Sequence, residues 1–176
     1  MEQFAFGAGK RCLGLASATM RFALFAACNI ALSETTPDFQ SLANRFATDL
    51  KTRDTAKLRT WYVSKPFLST NLTAEQSSLP LQDREEVLNY WSQMRISSVR
   101  IDVQEALAAP GAGKGFWTEE SKFEMTVDES PPRLVIGQRD VIWQPNGSSW
   151  QIAEEFWSDM KYCTKQADGK TLSCSR

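Results

Sequence analysis

The stretch RLVIGQRDVIWQPNGSSWQIAEEFWSDM, residues 133–160, decides the fold of this chain. It reads as two long strands joined by a tight turn at Pro145-Asn146-Gly147-Ser148, with Trp143 and Trp150 on either side. Asn-Gly between two apolar runs is a hairpin signal, because both residues accept a positive φ. A hairpin cannot bury its own apolar face, so the rest of the chain must cover it.

Working outward, the preceding segments alternate in the same way. Val99, Ile101 and Val103 are interleaved with Arg100, Asp102 and Gln104. Trp117, Glu119, Ser121, Phe123, Met125 and Val127 form a second alternating face. Before residue 96 the period changes to that of a helix. Phe39, Leu42, Ala43, Phe46, Ala47 and Leu50 predict one helix over 38–52. A second, from Thr55, carries Ala56, Leu58, Trp61 and Tyr62 and is ended by Lys65-Pro66. Residues 66–82 read as irregular. A third helix opens at Asp83, with Glu86 three residues on as a capping-box variant, and places Val87, Leu88, Trp91 and Met94 on one face. Three helices followed by a meander of about four strands indicate an α+β fold.

The chain has 176 residues, no His and a net charge of −1. The absence of His removes the commonest general base and metal ligand, and no metal site or cofactor is expected. The charge balance leaves no electrostatic footprint for nucleic acid. Gly111-Ala112-Gly113-Lys114-Gly115 lacks the Ser or Thr and the strand-to-helix setting of a phosphate loop and reads as a turn.

Residues 1–33 differ from the remainder. Lys10 and Arg11 precede a broken apolar run, and Met20-Arg21 followed by FALFAACNIALS is a short signal in its own right. The run is too short for a membrane span and fits a signal peptide cleaved before Glu34. This leaves a domain over 34–162, a tail over 163–176, and a periplasmic or secreted location. Phe25-Ala26-Ala27-Cys28 offers the alternative of a lipoprotein anchored at Cys28. In an oxidising compartment Cys163 and Cys174, either side of a turn at Ala167-Asp168-Gly169-Lys170, are expected to form a disulfide. Asn71-Leu72-Thr73 and Asn146-Gly147-Ser148 match the glycosylation sequon, which matters only in a eukaryotic secretory path.

In order and in residues, the chain resembles the nuclear transport factor 2-like superfamily, which includes ketosteroid isomerases and polyketide cyclase-like enzymes. The features are Arg53-Asp54 after the first helix, Leu58 through Tyr62, Arg84-Glu85-Glu86-Val87 before Trp91, and the ending Trp143, Gly147, Trp150-Gln151-Ile152 and Phe156-Trp157-Ser158. The resemblance implies a cystatin-like cone, in which a curved antiparallel sheet is closed by the N-terminal helices around a pocket. It also implies pairing into a homodimer through the outer face of the sheet. The family's isomerases place an acidic base after the aromatic end of the second helix. Here Trp61-Tyr62-Val63-Ser64-Lys65 has no carboxylate, and Glu154-Glu155 stands where some relatives have a His-Asp pair.

Three candidates for acid–base chemistry follow from the strand period. Glu154 shares a face with Trp150, Ile152 and Phe156; Glu119 lies between Trp117 and Phe123; Tyr62 could donate a hydrogen bond. Glu105 continues the Val103 face. The alternative is that these carboxylates pair with Arg95, Arg100, Lys122 or Arg139 at the rim of the sheet. Trp61, Tyr62, Trp91, Trp143 and Trp157 are candidates to line a small apolar ligand, or else are core. The leading expectation is an exported, non-catalytic binding or accessory domain taking a small apolar ligand or a protein partner. The competing one is an isomerase or cyclase-like enzyme, and a third is an accessory role in envelope assembly.

Overall fold

The computed structural model describes residues 36–70, 80–109, 111–112, 114–165 and 172–175. The expected signal peptide, Cys28 and the sequon at residues 71–73 lie outside the described residues. The elements run α1 (Phe39–Thr52), α2 (Thr55–Trp61), β1 (Tyr62–Ser69), α3 (Arg84–Gln93), β2 (Ile96–Ala108), β3 (Trp117–Val127), β4 (Arg133–Asn146), β5 (Ser149–Lys165) and β6 (Leu172–Ser175).

Each helix begins where an aspartate can satisfy its free amides. Asp38 accepts from the Ser41 N–H at 3.0 Å. Asp54 accepts from Ala56 and Lys57, and Asp83 from Glu85 at 2.8 Å. The α1 helix stops at Arg53, which takes a left-handed φ of 53°. Its apolar stripe, Phe39 to Leu50, is buried as the spacing predicts. Gln40 fastens the helix to β2: its amide donates to the Ile101 carbonyl at 2.8 Å and its carbonyl accepts from Val103 N–H at 2.9 Å. Among the described residues no helix is long and apolar enough to cross a membrane.

The sheet is mixed, curved and unclosed, in the order β1-β5-β4-β3-β2. Strands β2 to β5 form the antiparallel meander that their alternation predicts. The addition is β1. Tyr62 does not end the second helix but starts a strand, which runs parallel to β5 with Tyr62 opposite Ile152. Aromatic and β-branched residues at 62–63 favour extended backbone, and Pro66 is tolerated because β1 lies at the sheet edge. Strand β6 joins the same edge of β5 further along, with Cys174 opposite Cys163, and a disulfide joins the two. By loop entropy, Cys174→Ser is expected to lower stability by about 2–3 kcal/mol, read as the shift of a urea midpoint without reductant.

Bulges interrupt the period of two. Gln104 is an extra residue between the pairs Val103–Ser121 and Glu105–Glu120. Ala153 is extra between Ile142–Glu154 and Trp143–Ile152. Further along, Asp159 and Met160 oppose the single residue Gly137. There Asp159 takes a φ of 48°, and a Cβ on Gly137 would sit 2.6 Å from the Ser158 carbonyl oxygen. Each bulge bends its strand and moves every later side chain to the opposite face.

Candidate functional site

The bulges decide which charged groups enter the interior. Past Ala153 the inward residues of β5 are Glu155 and Trp157, both buried, while Glu154 is only partly buried. The expected face of Ile152, Glu154 and Phe156 is thus corrected. Phe156 stacks against Phe67, with ring centroids 5.3 Å apart, instead of continuing the buried Ile152 face. Glu105 is exposed for the same reason, one residue past the Gln104 bulge. Glu119 is inward and fully buried, as its alternation predicts. Arg139, expected at the rim, is fully buried in the centre of β4, in phase with Val141 and Trp143.

These groups form one hydrogen-bonded chain across four strands. Arg139 Nε donates to Glu155 Oε1 at 2.7 Å, and Nη1 donates to Glu119 Oε1 at 3.0 Å. The second oxygen of Glu155 accepts from the Tyr62 hydroxyl at 2.6 Å. The second oxygen of Glu119 accepts from Trp143 Nε1 at 2.7 Å. The Tyr62 hydroxyl in turn accepts from Trp91 Nε1 at 2.8 Å. All four carboxylate oxygens therefore have a donor, and both acids flank one guanidinium. The guanidinium also lies 4.7 Å from the ring centre of Phe46 on α1. Buried charges of this kind persist in a core when hydrogen bonds to their oxygens accompany the ion pairing.

Burial alone would lower the Arg139 guanidinium. Glu155 and then Glu119 outweigh it and hold it above its ordinary value. Burial pushes the Tyr62 hydroxyl well above the usual tyrosine range, and the adjacent Glu155 pushes it further. Tyr90 is pushed up to about 12, mainly by burial. Below the unfolded pKa of roughly 10, neither state ionises these groups. Above it, only the unfolded chain loses the protons, so stability falls as pH rises. Urea unfolding between about pH 9 and 11 should show this decline, and Tyr62→Phe should flatten it.

The expected ligand-lining aromatics are brought together, but onto one another. Trp61 meets Trp143 at 6.2 Å and Phe46 at 5.7 Å between ring centres. Trp91 meets Trp157 at 5.5 Å, and Phe123 meets Trp157 at 4.6 Å. At the end of α1, Phe39 touches Trp117, Trp143 and Trp150.

The outer face of the sheet differs. A groove of about 570 Å³ crosses it beside the Gly137 bulge. Ile136, Gly137, Met160 and an edge of Phe123 contribute its apolar part, and Asp102, Lys122, Glu124, Asp159 and Lys161 its charged rim. Nearby, partial burial and then Glu120, its cross-strand neighbour, raise the Asp140 carboxyl above its ordinary value. Among the described residues no group of three or more Cys, Asp and Glu could hold a metal.

No protein-family model and no curated protein matches the sequence. Solved structures do match the fold. A candidate calcium/calmodulin dependent protein kinase II association domain from Xanthomonas campestris is 14% identical, with a TM-score of 0.56 over 67% of this chain and 82% of that one. A substituted variant of the chain Rd1NTF2_05 is 9% identical, with a TM-score of 0.54 over 67% and 94%. A candidate scytalone dehydratase from Novosphingobium aromaticivorans is 9% identical, with a TM-score of 0.52 over 69% and 83%. With its helices, curved mixed sheet and element order, the chain has the nuclear transport factor 2-like fold.

Proposed function

We propose that this chain is an exported, non-catalytic binding or accessory domain that works through the outer face of its sheet. The observation that carries this is the state of the interior carboxylates. Glu119 and Glu155 have no exposure, and each of their oxygens already accepts a hydrogen bond. A general base must lie within reach of a substrate proton. Neither of these buried acids does. The partly buried Glu154 faces away from them.

The outer face supplies what the interior lacks. Its groove is of a size that takes a small ligand or a side chain from a partner. Ile136 and Ile142, both partly buried, and the stacked Phe67 and Phe156 give it apolar area. A second copy of this chain is the partner we favour. Of the structures similar in fold, one bears the name of an association domain and one that of a dehydratase, so the fold itself serves both kinds of role.

Native mass spectrometry of protein purified from its own host tests the proposal. The expected mass is a dimer that begins near Glu34 and dissociates in the Ile142→Arg variant. A monomer in both proteins, or an intact Met1 in a cytosolic fraction, would contradict it.

A further inference from the structure

Three buried side chains stand in one row across the inner face of the sheet. Ser121 on β3 is paired with Arg139 on β4, and Arg139 with Trp157 on β5. The Ser121 hydroxyl donates to the Arg139 carbonyl at 3.0 Å. The guanidinium carbon lies 5.5 Å from the ring centre of Trp157.

Two donors in this row are buried without a hydrogen-bond partner among the described residues: Arg139 Nη2 and Trp157 Nε1. The other buried indoles make the exception clear. Trp91 donates to Tyr62, Trp143 to Glu119 and Trp61 to Asp49. A buried donor without an acceptor forfeits its hydration and regains nothing, so native cores supply one, from protein or from ordered water. Here two such donors belong to neighbouring residues in register.

We propose that a single buried water sits between Arg139 Nη2 and Trp157 Nε1 and accepts from both. Charge selects a neutral acceptor. Glu119 and Glu155 already share this one guanidinium, and an anion would add a third negative charge to a site with one cation. Space selects a small one. Phe123 stands 4.6 Å and Trp91 5.5 Å from the Trp157 ring, and Phe46 stands 4.7 Å from the guanidinium. A buried water needs two to four polar partners. The two donors supply two. The water extends the chain of hydrogen bonds from four strands into the ring cluster. This holds whether or not the outer face binds a partner.

A high-resolution crystal structure of the full chain, joined to a water–indole nuclear Overhauser measurement on Trp-labelled protein, tests it. The expected result is density for one oxygen within hydrogen-bond distance of both nitrogens. The Trp157 indole N–H should also show a cross-peak to a long-lived water that is lost in Trp157→Phe. The Trp143 N–H, which donates to a carboxylate, should show none. Empty density between the two nitrogens with no cross-peak overturns the proposal. Extended density, or cross-peaks to carbon-bound protons of a co-purified molecule, overturns it in favour of an organic ligand.

Discussion

Arg139→Leu is expected to lose about 3–5 kcal/mol of folding stability, enough to leave much of a marginally stable domain unfolded. Nothing in the substitution is too large for the site. The cost arises because Glu119 and Glu155 remain buried, each with one oxygen stripped of its donor and with no positive charge nearby. The tyrosine and the tryptophan still donate to the outer oxygens, but a neutral donor cannot offset a buried negative charge. The control separates charge from packing. When Glu119→Gln and Glu155→Gln are combined with Arg139→Leu, the uncompensated charges disappear and most of the loss should be recovered. Urea unfolding followed by tryptophan fluorescence measures both proteins. A single variant as stable as the parent would mean that the three charges do not act as a unit.

Deleting Ala153 together with Glu154 is expected to be at least as damaging, although neither residue makes any of the interior hydrogen bonds. Without the two, the strand can keep an unbroken pairing with β4 in two ways. In one, Trp150 and Ile152 turn outward. In the other, Glu155 and Trp157 turn outward. The tight turn at Asn146-Gly147 fixes the upstream half, where Gly147 has a φ of 62°, and Arg139 fixes the downstream half. Either slip therefore exposes side chains that belong inside, and the second also leaves Arg139 without one of its acids, at a cost of about 3–5 kcal/mol or more. Loss of cooperative unfolding, or insoluble expression, is the expected readout. By contrast, deleting Ala153 alone removes only the extra residue, leaves Ile142 opposite Glu154 and Val141 opposite Glu155, and should cost little. A double deletion with a sharp unfolding transition near that of the parent would show that the facing of β5 is not fixed from both sides.

These two experiments mark the boundary of what the sequence makes legible. The helices were readable because their apolar stripes are unbroken and each has an aspartate at its start. Glu119 was readable because no bulge interrupts β3 against β4. The choice between Glu154 and Glu155 was not. Two adjacent carboxylates look alike, and the insertion of one residue reverses their roles without leaving a mark in the pattern. Arg139 did leave a signal. Counting back by twos from Trp143 through Val141 reaches it, so the strand itself points the guanidinium inward. Charge alone suggested a rim position, and the count was the better guide. The β1 strand was hidden for another reason: Pro66 and the short apolar run after Trp61 resemble a helix end, and the pairing that makes them a strand lies in β5, far along the chain.

That distance has a consequence for how the chain is made. The Tyr62–Glu155 hydrogen bond joins residues 93 apart, and β5 is the shared neighbour of β4, β1 and β6. The strand that completes the sheet thus follows every element it joins except β6. Until it is made, β1 lacks the strand it pairs with, although α1 can already lie against β2, and long-range pairing of this kind is slow to form. The buried hydrogen-bonded chain from Tyr62 to Glu119 therefore closes late in folding, when β5 docks between β1 and β4.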